Sequence, residues 1–128
     1  SSEQKQAVEY MSPALVVAGA GSGKTRTLTA KIAYLINNGY SPENILAITF
    51  TNKAAGEMKS RLVDLTGLSA EKFPWVRTYH SACFKILKLH CGLLGYQPPV
   101  QIYSEYQQQK VLKEIIVKLN IDKKYFSK

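Results

Sequence analysis

The sequence predicts an α/β domain, a parallel sheet flanked by helices, and three observations carry that expectation. A continuous apolar run, Ala14-Leu-Val-Val-Ala18, leads straight into a glycine-rich loop. A helical pattern follows that loop, and a second apolar run, Ile45 to Phe50, follows the helix. Short continuous apolar runs are what strands buried on both faces of a parallel sheet require. Strand, loop, helix, strand, helix is the order in which βαβ units are built.

Each element has its local reason. Ala14–Ala18 is expected to be the first strand and Gly19–Gly23 the turn out of it. The next helix places Leu28, Ile32, Leu35 and Ile36 on one face and stops at Asn37-Asn38-Gly39, where Gly39 suits a left-handed position past the helix end. Pro42-Glu43-Asn44 leads into the second strand. Thr51 or Asn52 caps the helix after it, with Ala55, Met58 and Leu62 at helical spacing. Trp75 to His80 reads as a third strand and its exit, and Ser81 as the cap of a helix carrying Phe84, Leu87 and Cys91. A break from Gly92 to Pro99 precedes a last helix. Ser104 and Gln107 offer that helix a capping box, and Val111, Leu112, Ile115, Ile116 and Leu119 give it an apolar side in need of a partner. The sequence stops at Asp122-Lys-Lys-Tyr-Phe-Ser-Lys128, which reads as an interrupted structure.

Composition narrows the class. The 128 residues are 45% hydrophobic and 20% charged, ordinary for one globular core. Seventeen Lys and Arg against nine Asp and Glu leave a formal charge of +8. Charge of that sign suits a polyanionic partner, and equally suits mere solubility; composition alone does not choose. The longest apolar stretch, Pro13 to Ala18, is too short to cross a bilayer, and no export signal opens the chain. Cys83 and Cys91 fall about two helical turns apart, too far for a local disulfide. They fit a reducing, cytoplasmic setting.

The strongest chemical signal is Ala18-Gly-Ala-Gly-Ser-Gly-Lys24-Thr25 between a strand and a helix, the context that a P-loop requires. Glycines at 19, 21 and 23 let the backbone approach a phosphate, with Ala20 and Ser22 between them in the cradle. The helix that begins near Lys24 adds its positive end. Lys24 is expected to hold the β- and γ-phosphates of ATP and the Thr25 hydroxyl to ligate Mg²⁺. The generic motif opens on Gly where this chain has Ala18, and the cradle glycines are intact. The loop implies a nucleotide; kinases, switches and motors all share it.

Thr49-Phe-Thr-Asn-Lys-Ala-Ala55 and Thr78-Tyr-His-Ser81, in order with the phosphate loop, closely resemble the superfamily 1 DNA helicases of the UvrD/PcrA/Rep kind, and the resemblance runs the length of the chain. It implies a P-loop NTPase (RecA-like) fold, incomplete here: residues 1–100 the N-terminal part of the first RecA-like domain, and 101–128 the beginning of an inserted helical subdomain. It also implies that Gln4, followed by Ala7-Val8, recognises adenine, and that Arg26 lies close to the nucleotide. A carboxamide offers the base edge both a donor and an acceptor. The rival readings are a solvent-facing glutamine in an N-terminal helix for Gln4 and a surface helix residue for Arg26.

The same resemblance assigns Phe50, Thr51 and Asn52, with Tyr79 and His80, to single-stranded DNA and its junctions with duplex. Tyr79 stands where the family commonly has Phe. Loops beyond the carboxyl ends of parallel strands are where open α/β sheets bind ligands, and rings there stack bases without reading sequence. From pattern alone Phe50 fills core as well as it faces solvent, and His80 is as readily structural. Lys53, Lys59 and Arg61 add charge nearby, an arrangement that a merely solvated helix face also shows.

Hydrolysis needs a carboxylate near Mg²⁺, a water-orienting group and usually an arginine finger. No Asp-Glu pair ends an apolar strand; Asp64 and Glu71 stand outside strand patterns, and Glu105 and Glu114 belong to the last helix. The family carries those groups further along, so the expectation is part of a longer motor that binds nucleotide weakly by itself and does not turn it over. Two rival functions stay open: the motor of a helicase–nuclease recombination enzyme, and a non-motor P-loop protein such as a nucleotide switch or small-molecule kinase.

Overall fold

The computed structural model describes residues 1–121. The chain divides into two compact units, Ser1–Ile86 and Leu87 onward. In the first, helices α1 (Ser2–Glu9) and α2 (Lys24–Asn37) are followed by strand β1 (Ala47–Thr49), helix α3 (Asn52–Thr66) and strand β2 (Val76–Thr78). Helix α4 spans Tyr79–His90, and α5 spans Glu105–Lys118.

β1 and β2 pair in parallel, with Ala47 opposite Val76, Ile48 opposite Arg77 and Thr49 opposite Thr78. Helix α3 is the connection between them, as a parallel pair demands. The core joins Ile32 of α2, Ala47, Met58 and Leu62 of α3, Phe73 and Val76. Ala55 is buried as well, so all three apolar positions expected of α3 face inward. Thr51 is the cap: its hydroxyl accepts from the Ala54 N–H at 3.1 Å. Gly39, at φ +94°, and Tyr40 close the end of α2 by donating to the carbonyls of Ile36 and Leu35. This is the Schellman arrangement that a left-handed glycine permits.

Four expectations change. Ala14–Ala18 is not a strand; it pairs with neither β1 nor β2, and Leu15 and Val17 are about nine-tenths exposed. An apolar run states a preference for burial, whereas a strand exists only where another strand satisfies its backbone. The second and third strands are real but shorter than the runs that announced them. Ser81 is not the cap of α4, because the helix begins at Tyr79 and the Thr78 hydroxyl accepts from the Ser81 N–H at 3.2 Å. Finally, Leu28 does not share the buried face of α2; Thr29 and Ile32 hold it, and Leu28 is exposed.

In the second unit, the capping box of α5 forms as expected, with Ser104 and Gln107 exchanging bonds at 2.8 and 3.3 Å. Leu112, Ile115 and Leu119 of its apolar side are exposed. The proposed subdomain runs on into residues 122–128, outside the described residues. Among the described residues no helix is long and apolar enough to cross a membrane.

Candidate nucleotide pocket and nucleic-acid edge

Helix α2 has two working faces. Thr29 and Ile32 turn into the core, and Thr29 meets its own need by donating to the Thr25 and Arg26 carbonyls. Lys24, Thr27, Leu28 and Lys31, at i, i+3, i+4 and i+7, line a second stripe. That stripe, which adjoins the core face because Leu28 and Ile32 are i,i+4 neighbours, forms one wall of a pocket of about 600 Å³, whose other walls include Gln4, Ala7, Val17 and Ser22.

The loop entering α2 is shaped by glycine at two points. Gly21 and Gly23 take φ of +72° and +82°, which side-chain-bearing residues rarely adopt. A Cβ at Gly23 would also lie 3.2 Å from Nε2 of Gln4. Ser22 N–H turns back to the Gly19 carbonyl at 3.3 Å. The Lys24 ammonium reaches the Ala18 carbonyl at 3.3 Å. That bond is long and exposed, one that an arriving anion displaces cheaply.

Gln4 belongs to this loop rather than to solvent. Its Nε2 donates to the Ser22 carbonyl at 2.8 Å, and its Oε1 accepts from the Ser1 nitrogen at 2.9 Å. With the Ser1 hydroxyl accepting from the Gln4 N–H, the side chain closes a capping box on α1. The pattern Ser-x-x-Gln was legible, and sequence reasoning passed over it. The bond to Ser22 had no sequence signal, since it joins residues eighteen apart in the chain. Glu3 also lines the pocket, its carboxyl held below the usual range by its own backbone N–H and then by the Ser1 and Ser2 hydroxyls.

The remaining loop residues lie outside the pocket lining. Ala20, Gly21, Thr25 and Arg26 are exposed, and Gly23 is half-buried under Gln4. Among the described residues no three His, Cys, Asp or Glu side chains converge as a metal centre.

A second constellation sits at the carboxyl ends of the two strands. Because Thr49 and Thr78 are partners, Phe50 and Tyr79 leave adjacent parallel strands at the same level. Phe50 is 98% exposed and Tyr79 63%. His80 is exposed too, its ring edge-on to Tyr79 with centroids 6.1 Å apart. Within the described residues the Phe50 ring fills no core.

Between the strand ends and α3 lies a smaller pocket of about 230 Å³, lined by Asn52, Gly56, Lys59, Arg77, Thr78 and Ser81 among others. Arg77 is the residue sequence reasoning missed here. Its Nε donates to the Pro74 carbonyl at 2.7 Å and its Nη1 to the Ser81 hydroxyl at 2.9 Å. Lys59 joins the pocket, whereas Lys53 and Arg61 are exposed on α3 outside its lining.

Comparison with known proteins places the chain in a family. The family model described as the UvrD/REP helicase N-terminal domain matches residues 1–128. The chain is 47% identical over 128 residues to the ATP-dependent DNA helicase PcrA of Staphylococcus epidermidis. To the protein of the same name from Staphylococcus aureus it is 46% identical. Each match covers 98% of this chain and 17% of the relative.

Proposed function

The chain belongs to the UvrD/REP helicase N-terminal domain family, and from that premise we propose that it is the ATP-binding portion of a DNA helicase. The complete activity couples ATP hydrolysis to translocation on single-stranded DNA and to duplex unwinding, with junctions of single and double strand as substrates. One observation carries the reading: a single α/β unit presents both a lysine-bearing glycine loop at the start of α2 and two exposed rings at the ends of adjacent parallel strands.

In this reading the unit is a P-loop, RecA-like domain, residues 1–100 its N-terminal part and 101–128 the start of an inserted helical subdomain. Gln4 meets the adenine edge, and Arg26 lies beside the nucleotide. Ala20, Gly21, Ser22 and Gly23 cradle the phosphates, and Lys24 neutralises them. The loop fits such a guest, for Gly21 and Gly23 hold left-handed geometry and its lysine is parked on a displaceable carbonyl. Mg²⁺, held through the Thr25 hydroxyl and the phosphates, would supply charge stabilisation at the γ-phosphate. Phe50 and Tyr79 stack bases, while Thr51, Asn52 and His80 contact the backbone.

ATPase rates of the complete gene product, with and without single-stranded DNA, test this. Strong stimulation by DNA that vanishes in Lys24→Ala is the expected result. Hydrolysis indifferent to DNA would sink the helicase reading and leave a P-loop enzyme of another kind.

A further inference from the structure

Helix α1, which carries Gln4, has no buried residue. Ala7 and Val8 are half-buried and the helix lies against α2, so its polar ties act together with this partial packing to set where Gln4 sits. One tie is at the phosphate loop, where Gln4 donates to the Ser22 carbonyl. The other is at the far end of the helix. There the Lys31 ammonium donates to the carbonyl of Tyr10, the residue that terminates α1. Lys31 also stands 3.9 Å from the Met11 sulfur and 5.8 Å from the centre of the Tyr34 ring. A lysine at a helix C-terminus meets both an open carbonyl and the negative end of the helix dipole.

Lys31 follows Lys24 by two helical turns, about 10 Å along the same face of α2. Both lysines and Gln4 line the one pocket. The helix bearing Gln4 is therefore held at one end by the phosphate loop and at the other by α2, the helix that the loop begins. A shift of the Tyr10 end swings the carboxamide relative to Ser22.

We propose that Lys31 is a positioning residue of the nucleotide pocket: by fastening the end of α1 to α2, it fixes the Gln4 carboxamide against the phosphate loop and so sets the preference for adenine over guanine. The inference rests on the reading of Gln4 as the adenine-recognising group. Lys31 touches no reacting atom. Its removal is felt at the base end of the site, and the chemistry at the phosphate end is spared.

The test is the KM and kcat for ATP and for GTP in the complete gene product at saturating single-stranded DNA. Wild type is compared with Lys31→Met, Lys31→Arg, Gln4→Ala and the Lys31→Met/Gln4→Ala double variant. Lys31→Met is expected to raise the KM for ATP about fivefold to tenfold, with the KM for GTP and both kcat values held within about twofold. Lys31→Arg keeps the preference for ATP, because it restores a cation and a donor at Tyr10. The double variant loses no more preference than Gln4→Ala alone, since the two residues act through one group.

Equal rises in KM for both nucleotides, or a loss confined to kcat, would overturn the proposal. So would additive losses in the double variant. Should Lys31→Met fold poorly, Lys31→Gln, which keeps an N–H donor without the charge, serves in its place and is expected to show a smaller rise for ATP only. Preference lost in Gln4→Ala but intact in Lys31→Met overturns the role of Lys31 alone. Preference intact in Gln4→Ala overturns the reading of Gln4, and this proposal with it.

Discussion

A ring that is 98% exposed at the end of a strand adds little to the stability of its fold. Phe50→Ala should accordingly leave the thermal midpoint of the chain within a degree or two, an order-of-magnitude expectation for a surface change. Its effect belongs to binding. Loss of one stacked base is typically about 1–3 kcal/mol, roughly fivefold to 150-fold in affinity for single-stranded DNA. Fluorescence anisotropy of a labelled oligonucleotide with the complete gene product measures this directly. An unchanged affinity would remove Phe50 from the DNA surface. The residue illustrates what sequence alone withholds. Its position after Ile48 and Thr49 suits a core-facing strand end as well as an exposed ring. Only the register of β1 on β2, which stops at Thr49 and Thr78, decides between them. Arg77 was hidden for a related reason, because its partners Pro74 and Ser81 are reached only once the strand turns into α4.

At the scale of elements, α3 is the piece that packs against both α2 and the strand pair. It connects the two strands, and its N-terminus borders the smaller pocket. Leu62 has no exposed surface and packs with Ile32, Met58, Phe73 and Val76. Leu62→Ala should destabilise the chain by about 2–5 kcal/mol, the range for a large-to-small change in a packed core. Chemical denaturation followed by circular dichroism gives the value, and a loss below about 1 kcal/mol would mean that the core collapses around the gap. Helices were the legible part of this fold. The inward positions of α3, the Thr51 cap, the Gly39 stop and the Ser104–Gln107 box follow from side chains close together in sequence. Strands were not legible in the same way, because their identity depends on distant partners. Ala14–Ala18 has the composition of a strand, yet among the described residues nothing pairs with it. Ser81 looked like a cap by type, but α4 begins at Tyr79, so Ser81 lies inside its first turn and gives its own N–H to the Thr78 hydroxyl. The glycine loop was legible as a motif because its residues are consecutive, whereas the bond that ties α1 to it joins residues eighteen apart.

For the whole molecule, the charge of +8 was ambiguous between solubility and a polyanionic partner. The structure distributes part of that charge in a way that bears on the choice. Lys59 and Arg77 line the small pocket beside Phe50 and Tyr79, and Lys53 follows Asn52 on the same helix end. Three cations facing a phosphate backbone release about two counterions from a single strand, since each neutralised phosphate contributes roughly 0.7 to the salt slope. Affinity of the complete gene product for single-stranded DNA should then fall at least about twentyfold between 50 and 200 mM salt. Oligonucleotides of different sequence should bind alike, because stacking and backbone contacts read no base edge. Lys59→Ala is expected to lower the slope by about 0.7 while affecting every sequence equally. Lysine 59 is half-buried, so the same variant is checked by circular dichroism to separate lost charge from lost fold. A non-motor nucleotide switch or metabolite kinase has no reason to show such a slope at all. Salt-independent binding, or a slope untouched by Lys59→Ala, would return the charge to mere solubility and leave the two exposed rings without a partner.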